Sequence, residues 1–149
     1  MKRLSSGDIR NDAWVLLAIL YAGRRKGADL PGILAAADFV SHGILMLEEL
    51  ESGLSRLLLA GWIEQRKSKF HPTDITLRLY DQSAAARRRY VQQELEDVEQ
   101  ILAQVRPAAC AAPAAAFTLP RPVYDQALRQ YRDQAAAYRA KFQKIKRPS

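Results

Sequence analysis

Gly53-Leu54-Ser55-Arg56-Leu57-Leu58-Leu59-Ala60-Gly61-Trp62-Ile63-Glu64 is the stretch on which the fold of this chain turns. Its leucines recur three and four positions apart, which gives a helix one apolar face. Gly61 lets the backbone leave that helix sharply, and Trp62 and Ile63 start a strand. Upstream the helix extends back to about residue 45, with Leu47, Leu50, Leu54, Leu57 and Leu58 as its stripe. Downstream, residues 62–66 and the pair Phe70-His71 are joined by Lys67-Ser68-Lys69, the pattern of a short β-hairpin.

Two helices precede this unit. Residues 8–22 place Ile9, Ala13, Leu16, Leu17 and Leu20 on one face, with Asp8 to accept the first free amides and Gly23 to end the helix in a left-handed turn. After the basic turn Arg24-Arg25-Lys26-Gly27, Asp29 caps a second helix with Pro31 in its first turn. Leu30, Ile33, Leu34, Ala37 and Val40 form its stripe, and Ser41-His42-Gly43 breaks it. Residues 73–80 read two ways. Ile75, Leu77 and Leu79 alternate like a strand, while Thr73 suits the cap of a helix opening at Asp74.

From Ser83 a long helix is expected. Val91, Leu95, Val98, Leu102 and Val105 form a heptad seam, and Arg106-Pro107 closes it. Residues 107–122 hold seven alanines and four prolines and read as an extended linker. A last helix from Val123 repeats the heptad spacing through Tyr124, Leu128, Tyr131, Ala135, Tyr138, Phe142 and Ile145. Seams this narrow suit helices that pair, within one chain or between two copies.

The stretch 53–64, with its leucine, two residues, leucine, Ala-Gly, apolar residue and Ile, resembles the end of the recognition helix and start of the wing in bacterial regulators of the MarR and PadR type. The resemblance covers residues 8–80 and implies a mainly α fold with a small β-hairpin wing. The expected layout is a winged helix-turn-helix domain at 1–80, a heptad helix at 81–106, an Ala/Pro-rich linker at 107–122 and a basic C-terminal helix at 123–149. It favours helix over strand at 73–80. It also implies a dimer built by the helical extension, and a third helix whose first turns enter the major groove of double-stranded DNA.

Composition narrows the partners. The 149 residues carry a net charge of +7, and the excess sits beyond residue 105: net +2 over 1–80, −2 over 81–105 and +7 over 106–149. Basic surface suits nucleic acid, acidic protein or anionic lipid. The longest apolar run, residues 13–23, is too short to span a bilayer and makes a poor signal sequence, so the expected place is the cytoplasm. The single cysteine, Cys110, excludes an internal disulfide and a multi-cysteine metal site. No phosphate-binding glycine loop and no His-Glu-x-x-His is present, and His42 and His71 are 29 positions apart without a partner pattern. The expectation is a non-enzymatic protein with no catalytic residues, no metal and no cofactor.

Candidate contacts to DNA are Arg66, Lys67 and Lys69 at the wing tip, with Ser52 and Arg56 on the third helix. Arg24, Arg25 and Lys26, and Arg87, Arg88 and Arg89, are further basic clusters that equally suit a solvated surface. Glu48, Glu49 and Glu51 crowd the start of the third helix. The helix dipole favours them there, but phosphates repel them. They open the alternative of a protein–protein interaction adaptor on the same scaffold that has lost DNA readout. The basic face of the last helix is a solvated surface, a ligand for an acidic groove such as Glu94, Glu96, Asp97 and Glu99, or a membrane-surface element. The pairing seam is assigned to Val91, Leu95, Val98, Leu102, Tyr124, Leu128, Tyr131, Tyr138 and Phe142, serving a homodimer or a protein partner.

Overall fold

A computed structural model describes residues 6–104 and 117–146. The described chain is mainly helical, with one small antiparallel β-sheet. Its centre is α1 (Ser6–Gly23), where Ala13 and residues 15–20 are all 4% exposed or less. A helix buried all round must be covered on several sides. Here α2 (Leu30–Ser41), α3 (Leu47–Ala60) and α5 (Val91–Gln104) pack against it, and α6 (Arg121–Lys146) packs on α2.

Local chemistry sets the joints. Asp29 Oδ1 accepts the Gly32 amide at 2.9 Å, and Pro31 occupies the first turn of α2. His42 ends α2 in the left-handed region, at φ 53°. At the start of α3 the Met46 amide donates to Glu49 Oε1 at 2.9 Å, and Gly61, at φ 82°, ends that helix. Strand β1 (Ile63–Arg66) then pairs with β2 (Lys69–Pro72), from Ile63 opposite Pro72 to Arg66 opposite Lys69.

The hairpin has a third participant. Ala28, between α1 and α2, bridges Phe70 in both directions, N–H to O at 2.8 Å and O to N–H at 2.9 Å. This bridge relocates the turn after α1. The left-handed glycine is Gly27, at φ 87°, rather than Gly23, because the chain turns only as it reaches the sheet edge. A Cβ on Gly27 would stand 2.5 Å from the His71 ring.

Residues 74–80 are helical, within α4 (Asp74–Gln82); Thr73 precedes it with an extended backbone, and its hydroxyl does not cap the helix. Instead Thr73 Oγ1 bonds the Gly61 carbonyl at 2.9 Å, and Thr76 Oγ1 donates to the Trp62 carbonyl at 2.6 Å, tying α4 to the end of α3. The long helix expected from Ser83 begins only at Val91. Ser83 Oγ accepts the Ala85 amide and starts a single 3₁₀ turn, Ala84–Arg87, so the three arginines precede the helix. The last helix starts at Arg121, with Pro122 in its first turn, where no amide is missed. Phe117 and Leu119, expected in a linker, pack on the core instead. Val105, Cys110 and the rest of 105–116 lie outside the described residues. Among the described residues no helix is long and apolar enough to cross a membrane.

Candidate nucleic-acid interface

On α3, Leu50, Gly53, Leu54 and Leu57 are buried. At 100° per residue this leaves Glu48, Ser52, Ser55 and Leu59 along the opposite, outward line. That line carries one carboxylate, two hydroxyls and a 45% exposed leucine, and no cation. Ser52 Oγ donates back to the Glu48 carbonyl at 2.5 Å, a local bond that leaves its lone pairs outward.

Arg56 is committed to the interior. Its Nε lies 3.0 and 2.9 Å from the two carboxylate oxygens of Asp12, its Nη2 is 2.9 Å from Oδ1, and Asp8 stands 3.7 Å away. Asp12 is 4% exposed, and burial pushes its carboxyl up to about 6 against the opposing pull of Arg56. The same hydrogen bond raises the Arg56 guanidinium above its ordinary value. This pair fastens α3 to α1.

The hairpin tip is different. Arg66, Lys67 and Lys69 are all exposed, and Lys67 takes φ 59° at the turn. Arg66 pairs with Glu64 at 2.9 Å, but both are more than half exposed, so water and salt weaken the bond. Hence the structure brings Arg66, Lys67 and Lys69 together on one hairpin and sends Arg56 elsewhere. Of the other basic clusters, Arg24 meets Asp81 at 2.5 Å and lies 5.3 Å above the Tyr80 ring, and Arg88 meets Asp97 at 2.6 Å. Arg25, Lys26, Arg87 and Arg89 are exposed.

The seam residues face inward. Leu95 and Val98 are buried, Val91 and Leu102 half-buried, on a helix laid against α1. Tyr124 is buried and donates to the Leu45 carbonyl at 2.6 Å; Tyr131 donates to Asp38 of α2; Leu128 is half-buried between them. The two heptad helices therefore do not run along one another. The side chains of Tyr138 and Phe142 lie outside the described residues.

Three features had no signal in the spacing. Glu94, grouped with surface acids by sequence, is 4% exposed and accepts from the hydroxyls of Tyr21 and Tyr80. Burial first, and Glu94 second, lift both phenols above their usual range. A carboxylate so satisfied is a fastening between α1, α4 and α5. Next, an open cleft of about 470 Å³ lies among Arg10, Asn11, Trp14, Glu49 and Gln92, where Asn11 Nδ2 donates to the Glu49 carbonyl at 2.9 Å. Last, the Leu119 amide donates to Glu51 Oε2 at 2.7 Å, which lays residues 117–121 beside the first turns of α3. Among the described residues no three His, Cys, Asp or Glu side chains gather as a metal would need.

Comparison with protein-family models, curated proteins and solved structures finds no match for this chain.

Proposed function

We propose that this chain is a winged-helix protein that binds double-stranded DNA through its wing and acts as a non-enzymatic transcriptional regulator. The carrying observation is the bridge from Ala28 to Phe70, which adds a third strand position to the hairpin. The resulting order is helix, bridge residue, helix, helix, strand, strand, and it presents a hairpin tip bearing Arg66, Lys67 and Lys69 to solvent. Lys67 supports the reading independently. A non-glycine residue in the left-handed region costs roughly 1 kcal/mol, so local stability favours glycine there. A lysine held at that point places an ammonium where a phosphate can meet it. Self-association through α6, whose heptad spacing runs on to Tyr138 and Phe142, belongs to the same reading.

The test is fluorescence anisotropy with random duplex DNA across a salt series, with the oligomeric state measured on the same sample. Kd in the micromolar range at low salt, weakening steeply with salt, is expected. Lys67→Ala with Lys69→Ala should lower the salt slope by about 2, near 0.9 per lost phosphate contact. The second reading is a protein-interaction adaptor, favoured by the outward line of α3, which lacks a cation. Absence of duplex binding at low salt selects it.

A further inference from the structure

We propose that residues 117–124 are an autoinhibitory strap that competes with DNA for the first turns of α3; the proposal rests on the duplex-binding reading. Four contacts hold the strap. The Phe117 ring meets the Phe70 ring edge-on, with centroids 5.6 Å apart. The Leu119 amide donates to Glu51 at 2.7 Å, Arg121 approaches Glu48 at 3.9 Å, and the Tyr124 hydroxyl donates to the Leu45 carbonyl at 2.6 Å. Together these run from the sheet, past one flank of α3, to the loop that precedes it.

That flank matters for a groove-binding helix. The major groove is about 12 Å wide, close to the diameter of a helix with its side chains. An α-helix seated there needs both flanks of its first turns clear, and the strap occupies one of them, with the Leu119 backbone at Glu51 and the Arg121 side chain at Glu48. Arg121, 3.9 Å from Glu48, offsets part of the charge of the acidic cluster while the strap is closed. When the strap leaves, Ser52 and Ser55 are the hydroxyl groups that α3 presents, Ser52 as an acceptor while its proton stays on the Glu48 carbonyl.

Release of the strap uncovers Leu119 and Tyr124, each 4% exposed when it is closed, and frees the start of α6, while α2, α3 and α5 keep their packing on α1. The apolar hold of the strap is Phe117, Leu119 and Tyr124, of which Phe117 is only half-buried. A strap closed nine times in ten lowers apparent affinity about tenfold, and ninety-nine times in a hundred about 100-fold.

The experiment compares the wild-type full chain with Phe117→Ala/Leu119→Ala, which removes apolar anchors and no charge. Random-duplex binding is measured by anisotropy at one low salt concentration, after thermal melts confirm that both are folded. The variant is expected to bind at least about tenfold tighter, and Lys67→Ala/Lys69→Ala added to it should weaken that binding. If the variant binds as wild type does, the strap is overturned while duplex binding stands. If neither binds, both proposals fall. Should the double substitution unfold, hydrogen exchange of the Leu119 amide in wild type decides. Faster exchange on adding duplex supports displacement, and slower or unchanged exchange overturns it.

Discussion

Arg56 on α3 grips the carboxylate of Asp12 on α1 through Nε and Nη2, with contacts between 2.9 and 3.0 Å. The pair crosses 44 positions of sequence and closes over the face along which α3 meets α1. Removing the cation would strand a buried carboxylate, a change that costs about 3–5 kcal/mol when both partners are fully enclosed. Arg56 keeps 26% side-chain exposure, so Arg56→Met should cost about 2–3 kcal/mol, read as a lower urea midpoint at constant slope. Duplex affinity of the folded variant should stay close to wild type, since the proposed phosphate contacts are Arg66, Lys67 and Lys69 and not Arg56.

Asp12 also gives stability a dependence on pH. Its folded value of about 6 lies above the ordinary 3.8, so the folded chain holds this proton more tightly than the unfolded chain does. The resulting stabilisation is full below about pH 4 and is lost as pH rises to 6, a change of about 3 kcal/mol at 1.36 kcal/mol per unit. Asp12→Asn lacks this titration. The unfolding free energy of wild type minus that of Asp12→Asn should therefore fall between pH 4 and 6 and be flat above pH 7; a difference that is flat throughout would contradict it.

At the hairpin tip, stability and the proposed duplex binding should move in opposite directions. Lys67→Gly relieves the left-handed backbone at φ 59° and should raise the unfolding free energy by about 0.5–1 kcal/mol. The same change deletes one ammonium and should lower the salt slope of duplex binding by about 0.9. Thermal melts and anisotropy on one preparation test both halves.

Gly53 is buried on α3 against α1. A Cβ there would meet Val15 Cγ2 at 2.8 Å and Asn11 Nδ2 at 3.2 Å. In an exposed helix Gly→Ala gains about 1 kcal/mol. Here overpacking of about 1–3 kcal/mol opposes it, and Val15 is fully buried with little room to yield. Gly53→Ala should be destabilising, by about 1 kcal/mol, in chemical denaturation.

The helices at 6–23, 30–41 and 47–60 and the hairpin were legible because their signals are local: apolar spacing, the Asp29 cap, Pro31 in a first turn, and Gly61 as a stop. The 3₁₀ turn before α5 was not, since Ser83 and the alanines after it satisfy a helix as readily as a turn. Of the site, the exposed Arg66, Lys67 and Lys69 could be read from a polar hairpin tip. Arg56 could not, because its role depends on Asp12 across the helix interface. The lone acids before the apolar run of α1 were the available hint.

By itself, the sequence determined which segments are helix and hairpin, and that the excess positive charge lies towards the C-terminus, because propensity, capping and charge belong to neighbouring residues. Tertiary structure decided which faces meet. A heptad seam records only that one side of a helix is apolar, and burial is non-directional, so the seam of α5 was free to close on α1 and the first half of α6 on α2. It also decided that Glu94 is interior and that residues 117–121 lie beside α3, since a carboxylate takes whichever donors the fold brings within about 3 Å: two tyrosine hydroxyls in one case, the Leu119 amide in the other.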